Sequence, residues 1–213
     1  MGLEFVAVDV ETANAFRGSV CQIGLVRVRG GCIVGEWESL LQPPAGHGWV
    51  DYGRGQIHGL TTRLLSTQPM FDAVWPQVLR RLEGQVLVAH NAAFDVTALR
   101  EASEAGGFGT PEFDYVCSLV LARRHLDLPA NTLDAVAAAC GVRLDRHHDA
   151  LADARAAAEI TLALAARVGA GTLVDLLTAS GVSLGSTSVE RQQTCHAIGN
   201  VPIQSLALEP RLF

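Results

Sequence analysis

The sequence predicts an α/β domain in which a mixed sheet is flanked by helices. Three observations carry that expectation. The first third holds three apolar runs of strand length, Glu4 to Val10, Val20 to Val28 and Ile33 to Leu41. The middle sets apolar residues at helical spacing around one short buried run, Gln85 to Ala89. Strands met first as a meander and then in alternation with helices are the pattern of a mixed sheet covered by helices.

The elements follow in order. Gly30-Gly31 marks a hairpin turn, so the second and third runs pair antiparallel and the first joins them. Gln42 to Gln68, rich in Gly, Pro and His, reads as a long irregular connection, a type that is usually functional or mobile. Phe71, Val74, Val78, Leu79 and Leu82 recur at three-to-four spacing and predict a helix from Pro69 to Glu83. Ala93 to Ala105 is the next helix, ended by Gly106-Gly107, and shorter helices cover Ser118 to His125 and Leu133 to Cys140. A last strong helix runs from about Asp149 to Val168. Residues 1–168 are thus expected to form one domain, with 169–213 an appended helix, Thr172 to Ala179, and a tail. From Gly181 to Phe213 the chain is rich in Ser, Thr and Gln and lacks a period, as in a flexible tail or a segment that docks on a partner or neighbouring subunit.

Composition narrows the classes. With 213 residues and 49% hydrophobic content the chain can bury a real core. No apolar run reaches the roughly 18 to 20 residues of a membrane helix, and the start lacks a basic region ahead of an apolar one; a cytoplasmic location without membrane contact is expected. The five cysteines are scattered with no C-x-x-C pair, against both a disulfide framework and a structural zinc site. A net charge of −6 is unusual for a nucleic-acid binder, but four acids neutralised by bound cations would bring it toward balance. All 16 basic residues are Arg, which suits bidentate phosphate contacts and equally follows from a bias in genomic base composition.

Three segments carry chemistry. In Phe5-Val6-Ala7-Val8-Asp9-Val10-Glu11-Thr12 an apolar strand ends in two carboxylates one residue apart. The period of two puts both on one face, roughly 6.6 Å apart along the strand. In Val86-Leu87-Val88-Ala89-His90-Asn91-Ala92-Ala93-Phe94-Asp95 a buried strand opens into a helix with an acid in its first turn, at the strand end where α/β sheets present ligands. Helix-start stabilisation alone would also place Asp95 there. In Arg146-His147-His148-Asp149-Ala150-Leu151-Ala152-Asp153-Ala154 a helix begins behind two imidazoles, and Asp153 leans back toward them. Asp149, one turn earlier, competes with Asp153 or serves as an N-cap.

Taken in order, D-V-E-T, H-N-A-A-F-D and H-D-A-L-A-D-A resemble the three motifs of the DEDDh exonuclease superfamily, nearest its branch of proofreading epsilon subunits of bacterial DNA polymerase III. The resemblance covers about Glu4 to Val168 and includes Ile57-His58-Gly59-Leu60-Thr61 and Leu119 to Arg123. It implies a ribonuclease H-like fold with a mixed five-stranded sheet, a two-metal centre and 3′-to-5′ hydrolysis releasing nucleoside monophosphates. Asp9, Glu11, Asp95 and Asp153 take the four acidic places, and His148, rather than His147, takes the histidine place. One departure stands out. Many members have Thr-Gly or Gly-Leu after D-V-E-T, where this chain has Ala13-Asn14-Ala15 and then Phe16-Arg17-Gly18; that loop normally holds the terminal nucleotide, so nucleotide preference does not carry over.

The chemistry accounts for these residue types. Hydrolysis of a phosphodiester requires charge on the attacking and leaving oxygens to be neutralised, as two cations ~3.5 to 4 Å apart do. Mg²⁺ or Mn²⁺ prefers hard oxygen ligands. Asp9 is expected to bridge two ions, Glu11 and Asp153 to complete one site, Asp95 to act partly through water, and His148 to serve as general base. Asn91 and the backbone after Glu11, Thr12 and Ala13, are expected to hold the terminal nucleotide, with Leu60 stacking on its base. The expected partner is the 3′ end of single-stranded DNA, with a DNA polymerase or sliding clamp beside it; Gln204-Ser205-Leu206-Ala207-Leu208 is the candidate clamp segment, and a homodimer fits the superfamily. Two alternatives stay open: an RNA 3′-trimming nuclease, and a non-catalytic module that binds nucleic acid or a polymerase.

Overall fold

The computed structural model describes residues 2–189 and 192–198. Three strands form the expected antiparallel meander, β1 (Phe5–Thr12), β2 (Val20–Arg29) and β3 (Cys32–Leu40), turning at Gly30 and Gly31, both in the left-handed region. Two short helices follow, α1 (Tyr52–His58) and α2 (Thr62–Leu65), then α3 (Phe71–Leu82), β4 (Val86–Ala89), α4 (Ala93–Ala105), β5 (Phe113–Cys117), α5 (Ser118–His125), α6 (Leu133–Ala139), α7 (Ala150–Arg167) and α8 (Leu173–Ser180). Strands β6 (Gly185–Thr187) and β7 (Gln192–Gln193) complete a seven-stranded sheet in the order β3-β2-β1-β4-β5-β6-β7. β1 pairs parallel with β4, and β4 with β5; the other pairings are antiparallel.

The expected mixed sheet is present, enlarged by two strands. Those two correct the reading of the region after Gly181: within the described residues the segment docks on its own sheet, β6 pairing with β5 and with β7. Gly185 permits this, since a Cβ there would overlap the Tyr115 ring. The candidate clamp segment at 204–208 lies outside the described residues. The connection from Gln42 to Gln68 is also more regular than expected, because it contains α1 and α2.

The core lies between the sheet and its helices. Phe5, Ile23, Leu87 and Tyr115 come from strands, Trp75, Leu99, Leu121, Ile160 and Leu164 from helices, all fully buried. Trp75 of α3 also donates its indole N–H to Ser103 Oγ of α4 at 3.0 Å, so burying its polar atom leaves no unpaired donor. Alanines dominate the buried face of α7, which lets that helix lie close against β1 and β2. Among the described residues all five cysteines are free, and no helix is long and apolar enough to cross a membrane.

Candidate active site

The site begins with the pleat of β1. Asp9 and Glu11 alternate with Val8, Val10 and Thr12, so both acids project from one face, and in the ladder Asp9 stands opposite Gly24 of β2. Gly24 is the residue that sequence reasoning missed. A Cβ at that position would overlap the backbone of Ala150 and Leu151 at the start of α7. Its absence lets the α7 N-terminus rest on the sheet beside Asp9. A glycine inside a strand was the available signal, since it marks close backbone approach.

Helix α7 brings the next groups. Asp149 is its N-cap, accepting from the Ala152 N–H at 3.1 Å, the alternative role its position suggested. Asp153, 4% exposed, accepts the His148 N–H at 3.0 Å and lies 3.0 Å from His147 Nδ1. The backbone helps to form this knot: His148 sits at φ +67, and its ring stacks on that of His147 with centroids 3.9 Å apart. Carboxylate oxygens of Asp9, Glu11 and Asp153 lie within 4.8 Å of one another.

Asp95 arrives from α4. β4 pairs with β1 only as far as Ala7, so the Val10 N–H is left without a strand partner, and Asp95 Oδ1 accepts it at 3.2 Å. Asn91, at φ +69, turns the chain between β4 and α4. His90 is pinned below, its ring nitrogens 3.0 Å from Ser118 Oγ and 2.9 Å from Asn131 O. A pocket of about 210 Å³ is lined by Asp9, Glu11, Asp95, Asp153, His148 and Asn91, together with His147, Phe94 and Leu133.

The remaining predicted residues lie outside that pocket. Thr12 is buried, and its hydroxyl accepts from Arg54 at 2.5 Å. Leu60, 9% exposed, lines an adjoining groove whose wall also includes His58 and His148. Ala13 corrects an expectation: it is fully buried, its N–H donates to Ser19 O and its carbonyl accepts from Asp51 N–H, both at 2.8 Å. Its backbone is committed to the fold and is not free for a nucleotide.

The electrostatics show what the cluster requires. Burial, then the charges of Asp95 and Asp153, push the Asp9 carboxyl well above the usual range. Glu11 is pushed up to about 8 by burial and by Asp153, with Arg54 pulling the other way. Asp95 is raised by burial against the Val10 N–H. Acids crowded this way hold protons unless positive charge joins them. The donors are hard oxygens with imidazole at the margin, so the residues fit Mg²⁺ or Mn²⁺ and do not make a thiolate site.

Such a sheet, with the acids at the end of β1 meeting the N-termini of α4 and α7, defines a ribonuclease H-like α/β domain with a carboxylate cluster able to hold divalent cations. The chain belongs to the Exonuclease family, whose model matches residues 4–161. It is 34% identical to a DNA polymerase III PolC-type protein of Thermotoga maritima over 160 residues, 74% of this chain and 12% of that protein. It is 33% identical to a DNA polymerase III subunit epsilon-like protein of Rhodobacter capsulatus over 171 residues, 76% of this chain and 24% of the relative. The chain therefore spans a quarter or less of the length of these relatives. Among solved structures it is similar to exonuclease X in complex with 5′-overhanging duplex DNA, with a TM-score of 0.66 at 23% identity, covering 83% of this chain and 99% of that one.

Proposed function

We propose that the domain is a 3′-to-5′ exonuclease that uses two Mg²⁺ or Mn²⁺ ions to release nucleoside monophosphates from the 3′ end of single-stranded DNA. The observation that carries this is the convergence of Asp9, Glu11 and Asp153 within ligand distance of one another, with Asp95 and His148 in the same pocket. Two bound cations would neutralise charge on the attacking and leaving oxygens. Asp9, Glu11 and Asp153 would hold the cations between them, and Asp95, fixed by the Val10 N–H, would add its charge beside them.

His148 is the general base. It stands at the pocket mouth with an exposed ring, where a water approaching the scissile phosphorus can deliver its proton to the imidazole. Asn91 at the pocket rim and Leu60 in the adjoining groove are positioned for the terminal nucleotide, while Thr12 orders Arg54. The names of the polymerase-type relatives support a proofreading or repair role beside a DNA polymerase. Residues 1–168 carry the catalysis in this reading, and β6 and β7 extend the sheet beyond the catalytic elements.

The test is degradation of 5′-labelled single-stranded DNA and RNA oligomers in Mg²⁺, Mn²⁺ or EDTA, with Asp9→Asn alongside. The expected result is a ladder shortening from the 3′ end of DNA, lost in EDTA and in the variant. Undiminished degradation by Asp9→Asn or in EDTA overturns the proposal. Laddering of RNA alone moves the substrate to RNA.

A further inference from the structure

The loop that follows Glu11-Thr12, the segment where this chain departs from its superfamily, is welded to a second loop. Asn14, 1% exposed, donates its amide to the carbonyls of His47 and Trp49 at 2.9 and 3.0 Å. Asp51 uses both carboxylate oxygens on the same unit, accepting from the Ala15 N–H at 3.1 Å and from the Trp49 indole N–H at 3.1 Å. The Phe16 N–H closes back on Asn14 Oδ1 at 3.1 Å. Loops fixed this densely hold their side chains in place at little further cost in entropy.

What they hold is a row of rings. Phe16 and His47 stack with centroids 4.1 Å apart, and Trp49 continues the row 6.0 Å beyond His47. Trp49 is 49% exposed although its only polar atom is already hydrogen-bonded, so its free ring surface serves no internal contact. At the other side of the loop the Arg17 guanidinium lies 5.7 Å over the ring of Phe94, and Phe94 lines the acid pocket. The loop that carries Phe16 and Arg17 thus reaches the acid pocket through Arg17 and Phe94, and the aromatic row stands on the same pair of joined loops.

We propose that this row is the track for the single strand upstream of the scissile bond: a base stacks on Trp49, backed by His47 and Phe16, while Arg17, bracketed by Phe94, meets a backbone phosphate. Stacking of bases on aromatic rings combined with a cation along the backbone is how single-stranded polynucleotide is held without sequence preference, since every base has a π-face. The inference rests on the exonuclease reading, which supplies the strand's direction, and names the residues that set preference for unpaired DNA. A duplex keeps its bases stacked on each other and gains nothing from the row.

The test is binding rather than turnover. Anisotropy of labelled thymidine oligomers of two to eight nucleotides is measured in EDTA with the full chain, Trp49→Ala, Trp49→Phe and Arg17→Ala. The expected result is an affinity loss for Trp49→Ala that grows with oligomer length to about tenfold at eight nucleotides, largely restored by Trp49→Phe, with a smaller and salt-sensitive loss for Arg17→Ala. Equal affinity in wild type and Trp49→Ala overturns the track and leaves the exposed ring to a protein partner. A loss of the same size at every length also overturns it, because that marks a damaged fold. Because no hydrolysis is needed, a wild type that binds oligomers but never shortens them would sink the exonuclease reading alone.

Discussion

Two histidines adjacent in the chain have been given different environments. His147 points its Nδ1 at Asp153, 3.0 Å away, and is thereby tied to the acid cluster. His148 contributes its backbone N–H to the same carboxylate and, through a left-handed backbone, leaves its ring at the pocket mouth. Burial and the neighbouring His147 imidazole lower the His148 ring below its ordinary pKa, with Asp153 and Asp134 opposing. The ring is therefore mostly neutral near pH 7, the form a general base needs. His148→Ala is expected to cost roughly 10² to 10⁴ in kcat. His147→Ala should cost less in kcat and shift the concentration of Mn²⁺ needed for half-maximal rate, because its contact is with Asp153, an acid proposed to hold a cation. Measured side by side at saturating metal, the reverse ranking would transfer the base role to His147.

At the scale of elements, the acid cluster depends on how closely α7 approaches β2. Gly24 sits opposite Asp9, and its missing side chain is what allows Ala150 to lie there. Gly24→Ala must push the start of α7 outward, taking Asp153 and His148 away from Asp9. Displacements of about 1 Å in such sites cost on the order of 10² in rate, and overpacking costs roughly 1 to 3 kcal/mol. Gly35→Ala on the edge strand β3, where a Cβ would meet nothing, is the control. Thermal melts and oligomer hydrolysis compared for the two variants check this, and wild-type behaviour of Gly24→Ala would refute it. The same contrast shows what the sequence could reveal. Alternation in β1, the onset of α4 and the His-rich entry to α7 are local patterns, so the acids and their faces were legible, and helix bounds fell within a residue or two. The strand Phe113–Cys117 was not, being short and carrying Asp114 among its apolar residues. Helix α1 was hidden by Gly53 and Gly55 and buries no residue, and β6 and β7 are short polar strands defined only by pairing, β6 with the β5 edge and β7 with β6. Ala13 looked available because nothing local reports that Ser19 and Asp51 take its backbone groups.

Across the whole molecule, metal binding at the proposed site would be coupled to folding through the crowded acids. Glu11 has an ordinary carboxyl pKa in the unfolded chain and one of about 8 in the metal-free fold, and Asp9 and Asp95 are displaced in the same direction. A carboxyl raised on folding contributes stability that is fully present below its unfolded pKa and is lost as pH climbs through the folded one. Metal-free protein should therefore weaken from about pH 5 to pH 8, an interval in which the unfolded chain has already released these protons. Cations compete with those protons, so the rise in Tm produced by a fixed Mn²⁺ concentration should be small near pH 5.5 and grow toward pH 8. Asp9→Asn removes one of the repelling charges. At pH 8 it should raise the metal-free stability, on the order of 1 to 3 kcal/mol or several degrees in Tm, while losing most of the Mn²⁺-induced gain. Scanning calorimetry of both proteins at the two pH values, with and without Mn²⁺, makes the comparison. If the Mn²⁺ gain were the same at both pH values and survived Asp9→Asn, the cations would be binding elsewhere, and these acids would not be the metal centre of the fold.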